Sequence, residues 1–180
     1  MMSLLAACTT SGENGVLSSA ADNAKRQNPN ATPRLANTRN ALSDYCPQVT
    51  IRDGTDTYRH FRNKRDRKNN EKLQFQASII RVARECDYVG DQLAMKIGVE
   101  GRIINGPSGA SGSFKMPLRV AVSQGGETVY SVLHKPEGGI EPGRSNSQFS
   151  FVDGQVSFPA PTARNVRVYV GFDEGPYNTP

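Results

Sequence analysis

Leu93-Ala94-Met95-Lys96-Ile97-Gly98-Val99-Glu100 decides the fold class. Apolar Leu93, Met95, Ile97 and Val99 alternate with Ala94, Lys96, Gly98 and Glu100, and the pattern continues toward Ile103. A period of two puts successive side chains on opposite faces of an extended chain, so the run predicts a strand with one buried face. Two further runs repeat it. Phe114, Met116, Leu118, Val120 and Val122 alternate with Lys115, Pro117, Arg119, Ala121 and Ser123. Val166, Val168, Val170 and Phe172 alternate with Arg167, Tyr169 and Gly171. Pro117 marks its run as an edge strand or a bulged one, because proline offers no N–H to a ladder.

Leu73 to Cys86 begins with the same alternation at Leu73, Phe75, Ala77 and Ile79, then changes phase through Ile80 and Val82. A bulged strand accounts for that shift; a helix over Gln76 to Glu85 competes with it, since Ala, Arg and Glu favour helices. Val49-Thr50-Ile51, Thr128 to His134, Gln148 to Val152 and Gln155 to Phe158 supply further strands. Gly125-Gly126 and Asp153-Gly154 are placed as hairpin turns demand, and Gly138-Gly139 with Pro142-Gly143 marks a longer loop. The expectation is an all-β, immunoglobulin-like β-sandwich of about seven antiparallel strands over residues 45–176, with a small closed barrel as the alternative.

The chain has 180 residues, enough for one domain with a real core and short for two. No apolar stretch approaches the roughly 18 to 20 residues of a membrane-spanning helix. Its three cysteines are an odd number, so a disulfide framework leaves one thiol over. Cys46 precedes Pro47 just before the first strand-like run, and Cys86 closes the Leu73 run. Paired in an oxidising compartment, they would close a loop of about 40 residues and stabilise the fold by roughly 3 to 4 kcal/mol. Two buried free thiols in a cytosolic protein are the alternative. No CxxC occurs and His60 and His134 stand apart in sequence, so neither a metal nor another cofactor is expected.

The third cysteine closes Leu4-Leu5-Ala6-Ala7-Cys8, an apolar pair followed by two small residues. Leu5-Ala6-Ala7-Cys8 resembles a bacterial lipobox. That resemblance implies cleavage before Cys8 and acylation of its thiol, which makes Cys8 a lipid-attachment site. Only seven residues precede Cys8 and none is Lys or Arg, so residues 1–8 are read as the remnant of a signal whose start lies upstream. Residues 9–44 are rich in Ser, Thr, Asn, Ala, Gly and Pro without apolar periodicity. Such a segment buries too little to offset its ordering entropy and reads as a flexible polar linker. Thr9 after the cysteine implies, by the same resemblance, the outer membrane, on its periplasmic face or the cell surface. The layout is similar to that of uncharacterised small envelope lipoproteins of alphaproteobacteria, a group that brings no activity with it.

The net charge of +5 is concentrated. Residues 45–72 hold eight Lys or Arg against four Asp or Glu, whereas residues 73–180 hold ten of each. The excess centres on Arg59, Arg62, Lys64, Arg65, Arg67 and Lys68, a candidate contact for a polyanion or a partner on a loop between strands. A merely solvated loop is the plain alternative. Available polyanions in an envelope are anionic lipid head groups, lipopolysaccharide phosphates and peptidoglycan stems. Tyr58 and Phe61 could add stacking. Nucleic acid is disfavoured, since no RNA- or DNA-binding motif is visible.

No GxSxG, HExxH, GxxxxGK[ST] or GxGxxG is present, so no catalytic residue is nominated. Gly106 to Ser113 lacks the lysine of a phosphate loop and reads as a connection. His134 reads as an exposed strand terminus, His60 as a histidine whose pKa the basic run lowers, and Asp173-Glu174 as ordinary polar residues after the last strand. The expected function is a non-enzymatic binding or scaffolding lipoprotein, held to the membrane by its N-terminal lipid and partnered by an envelope protein or polymer. A pilotin-like accessory subunit, or an inhibitor of an envelope machine or hydrolase, is the alternative; the basic loop counts against inhibition of a cationic lysozyme.

Overall fold

Among the described residues, eight of ten strands carry the alternating runs into two facing sheets, and the other two form a ribbon. The computed structural model describes Leu42 and residues 44–175; Cys8 and nearly all of the linker expected over residues 9–44 lie outside the described residues. The strands are β1 (Val49–Ile51), β2 (Thr57–Phe61), β3 (Leu73–Val89), β4 (Gln92–Asn105) and β5 (Gly112–Lys115). β6 (Leu118–Gln124), β7 (Glu127–His134), β8 (Glu137–Ile140), β9 (Asn146–Pro159) and β10 (Val166–Phe172) follow. One sheet has the order β1-β10-β6-β7 and the other β2-β3-β4-β9, with β5-β8 as a separate ribbon. β1 runs parallel to β10, and the other pairs are antiparallel. The architecture is the all-β sandwich that the alternation predicts.

The inner faces are the apolar half of each run. Leu93, Met95, Ile97, Val99 and Ile103 of β4 meet Leu118, Val120 and Val122 of β6 and Val168, Val170 and Phe172 of β10 in one core. Burying each such side chain contributes about 1.5–3 kcal/mol, enough to hold two sheets together without a helix. Phe149 reaches across this core to Phe172, with ring centroids 6.3 Å apart. Its ring lies over Gly101, where any Cβ would overlap it.

Several expectations resolve in detail. Residues 76–85 are strand, not helix, and the ladder shifts register between Ile79 and Arg81 as the phase change at Ile80 predicts. The Phe114 to Val122 run divides into β5 and β6, because Pro117 interrupts the ladder beside the wholly buried Met116. Gly125 and Gly126 form the β6–β7 turn with φ of 62° and 96°, which a tight hairpin requires. Asp153-Gly154, by contrast, is not a turn. The two residues lie inside β9, where the ladder with β4 shifts between Met95 and Ile97. Gly138 and Gly139 likewise belong to β8 rather than to a loop. Their missing side chains let β8 lie against Ile103 and against Gly112 of β5.

Candidate functional site

The basic segment starts in a strand. β2 pairs with Leu73 to Ser78 of β3, so Arg59 belongs to the sheet rather than to the expected loop. Its guanidinium donates to Asn70 Oδ1 at 2.6 Å and lies 5.5 Å from the Phe61 ring centroid. After Phe61 the chain makes two 3-10 turns, Lys64–Lys68 and Asn70–Lys72. Asn63 Nδ2 donates to Asp66 Oδ2 at 3.2 Å, and Asn69 Oδ1 accepts from the Glu71 N–H at 3.0 Å, so short polar side chains hold both turns. Arg67 forms an ion pair with Glu174, just past β10. Arg62, Lys64, Arg65 and Lys68 are exposed and have no carboxylate partner among the described residues. The six candidate cations thus separate into two used by the fold and four free.

Tyr58 and His60 point the other way, into the end of the core. The His60 ring stacks on Phe75 with centroids 4.8 Å apart, and its Nδ1 lies 2.9 Å from the Tyr58 hydroxyl. Burial lowers the His60 pKa below the ordinary imidazole value, and the Glu174 carboxylate opposes that shift. Desolvation, not the field of the basic run, is therefore the leading cause. Tyr58 sits 5.7 Å from the Phe172 ring centroid, so it closes the core instead of forming a surface platform.

His134 is not an exposed terminus. Its Nε2 lies 2.8 Å from Asp153 Oδ2, which also accepts from the Tyr130 hydroxyl at 2.8 Å, while Oδ1 accepts from the Gln155 N–H at 3.0 Å. Asp153 is only 2% exposed. Tyr130 and His134 stand on β7, at the edge of one sheet, and Asp153 on β9, at the edge of the other. The carboxylate thus links the two layers at their β7 and β9 edges. Burial, reinforced by that carboxylate, raises the Tyr130 phenol far above its ordinary pKa.

Asp173 and Glu174 are partnered as well. Asp173 Oδ2 accepts from Arg119 Nε at 2.5 Å and Oδ1 from the Gly175 N–H at 2.9 Å. The Arg119 hydrogen bond, foremost, holds the Asp173 pKa below the usual carboxylate value. A depressed carboxylate contributes stability that is present above its unfolded pKa, near 4, and is lost as pH falls through the folded value. Arg119 and Asp173 retain 37% and 30% of their side-chain exposure, so solvent screening keeps the contribution below about 1 kcal/mol. Urea titrations at neutral pH and at pH near 3 should show that Asp173→Asn loses less stability on acidification than the parent protein. Equal losses would remove Asp173 from the acid response.

Cys46 and Cys86 form a disulfide with Cα atoms 5.7 Å apart. It joins the segment before β1 to the far half of β3, and Tyr88 O–H supports it by donating to the Tyr45 carbonyl at 2.9 Å. Among the described residues no group of three His, Cys, Asp or Glu side chains is arranged to hold a metal, and no helix is long and apolar enough to cross a membrane.

Fold, bridge and exposed cations define a disulfide-bonded, all-β sandwich domain. No protein family, curated protein or solved structure matches the chain.

Proposed function

We propose that the chain is a lipid-anchored lipoprotein of the bacterial envelope whose sandwich serves as a non-enzymatic binding or scaffolding module. The Cys46–Cys86 bridge is the observation that carries this reading. Such bonds persist in oxidising compartments and are rare where thiols are kept reduced. The bridge uses two of the three cysteines, and the one left over is Cys8 in its lipobox-like context. Anchorage at Cys8 would hold the module at an envelope membrane, and Thr9 after the cysteine favours the outer one. Arg62, Lys64, Arg65 and Lys68 then supply a salt-sensitive contact to an extended envelope polyanion, while Arg59 and Arg67 maintain the shape of the turn.

Metabolic labelling in the native host tests the anchor. Labelled palmitate should enter the parent chain, and Cys8→Ser should abolish that incorporation and move the protein from the membrane to the soluble envelope fraction. An unlabelled parent chain, or a Cys8→Ser chain that stays with the membrane, would overturn the proposal.

A further inference from the structure

Arg84 meets two arginines from some 80 residues later in the sequence, Arg164 and Arg167, at the end of the sandwich where β10 begins. Arg84 of β3, Arg164 from the connection before β10, and Arg167 of β10 line one cleft of about 630 Å³ with Tyr45, Gln48 and Tyr169. Its position follows from the bridge. Cys86 lies two residues beyond Arg84, and its bond to Cys46 draws Tyr45 against this side of the domain. The Tyr45 hydroxyl donates to the Val166 carbonyl at 3.4 Å, and the Arg164 guanidinium lies 5.7 Å from the Tyr45 ring centroid. Arg167 and Tyr169, two apart on β10, stand on the same face. None of the three arginines pairs with a carboxylate among the described residues, and Asp44 is the acidic side chain that lines the cleft. The basic turn lies elsewhere: Arg67 meets Glu174, beyond the other end of β10 and about 20 Å of strand away.

We propose that this cleft binds a phosphate monoester. Such a group carries between one and two negative charges at neutral pH and three terminal oxygens, and planar guanidinium forks match those oxygens in pairs. A carboxylate would engage fewer of the three arginines. Gln48 and the tyrosine faces suit the polyol that carries the phosphate. Small-molecule pockets span roughly 300 to 1,000 Å³, so the cleft is roomy enough for such an ester in either free or lipid-borne form. The inference does not depend on acylation at Cys8.

The full chain carrying Cys8→Ser, with its bridge intact, provides the test. Calorimetry with glycerol 1-phosphate reads the free ester, and co-sedimentation with phosphatidylcholine vesicles, with and without phosphatidic acid, reads the lipid-borne one. One saturable site is expected in at least one format. Arg84→Gln, Arg164→Gln or Arg167→Gln should each weaken it about tenfold, and the triple variant should abolish it. All three positions are exposed, so circular dichroism should show the fold unchanged. Neutralising Arg62, Lys64, Arg65 and Lys68 together should leave the affinity for glycerol 1-phosphate unchanged, while lowering the salt-sensitive attachment to phosphatidic acid vesicles that the basic turn adds. Binding only to phosphatidic acid vesicles assigns the lipid-borne source. No saturable binding in either format, parent-like affinity in the triple variant, or loss confined to the turn variant would overturn the proposal.

Discussion

Asp153→Ala should lower the free energy of unfolding by about 3 kcal/mol, a large fraction of the roughly 5–15 kcal/mol by which native proteins are stable. The reason is a count of donors. Asp153 accepts from the Tyr130 hydroxyl and the Gln155 N–H, and an ionised carboxylate that can only accept requires a proton on His134 Nε2 as well. Truncation leaves all three without that partner, and each buried polar group left unsatisfied costs about 1–3 kcal/mol. Water reaching the half-buried Tyr130 and His134 offsets part of the loss. Tyr130→Phe removes one donor and should cost about 1 kcal/mol. Urea unfolding of both single variants and of the double variant completes a cycle whose coupling should be favourable, because the two residues share one bond. The raised Tyr130 pKa adds a second readout. A phenol that holds its proton more tightly when folded contributes stability that is present below its unfolded pKa, near 10, and is lost as pH rises above it. The parent should therefore lose stability above about pH 10 more steeply than Tyr130→Phe. A change of less than 1 kcal/mol in Asp153→Ala, on the order of a single weak hydrogen bond, would show that the carboxylate does not hold the sheets together.

The strands of the core were legible because burial imposes the alternation. Leu93 to Ile103 and Val166 to Phe172 could not change phase without turning apolar side chains outward. The Ile80 bulge was legible for the same reason: Ile80 itself, 57% exposed, is the residue thrown out of the pattern. β2 was not legible. Its five residues are all half-buried at a sheet edge, so Thr57 to Phe61 shows no contrast between faces. Asp153-Gly154 misled because the pair is also the usual signature of a tight turn. Here the aspartate oxygen satisfies the Gln155 N–H within the strand, and its other oxygen is claimed by residues about 20 positions earlier. The basic run was visible as composition, but not which of its charges were free. Arg67 is neutralised by Glu174, a residue 107 positions away. Nor could spacing reveal the arginine cleft, which forms only when Arg84 of β3 and Arg164 and Arg167 at the start of β10 are brought to the chain leading into β1.

Replacing both Cys46 and Cys86 by alanine should lower the free energy of unfolding by roughly 3 to 4 kcal/mol. The bridge spans a sequence separation of 40, and releasing a loop of that length returns conformational entropy to the unfolded chain. The folded state keeps a second hold on the same place: Tyr88 O–H still donates to the Tyr45 carbonyl, and Pro47 remains buried. The variant should therefore fold, with a lower urea midpoint. Its m-value should be higher, because an unfolded chain without the cross-link exposes more surface. An unchanged midpoint would show that the bridge adds nothing to the noncovalent contacts. A parallel consequence reaches the cleft. Tyr45 forms part of its lining and is positioned by the bridge beside it, so the variant should bind a phosphate monoester more weakly than the parent even under conditions where both are fully folded. Weaker binding with a native circular dichroism spectrum would mean that one covalent bond both stabilises the sandwich and shapes the site at its end. Parent-like binding would confine the bridge to stability, leaving Tyr88 and Val166 to position Tyr45 by hydrogen bonds alone.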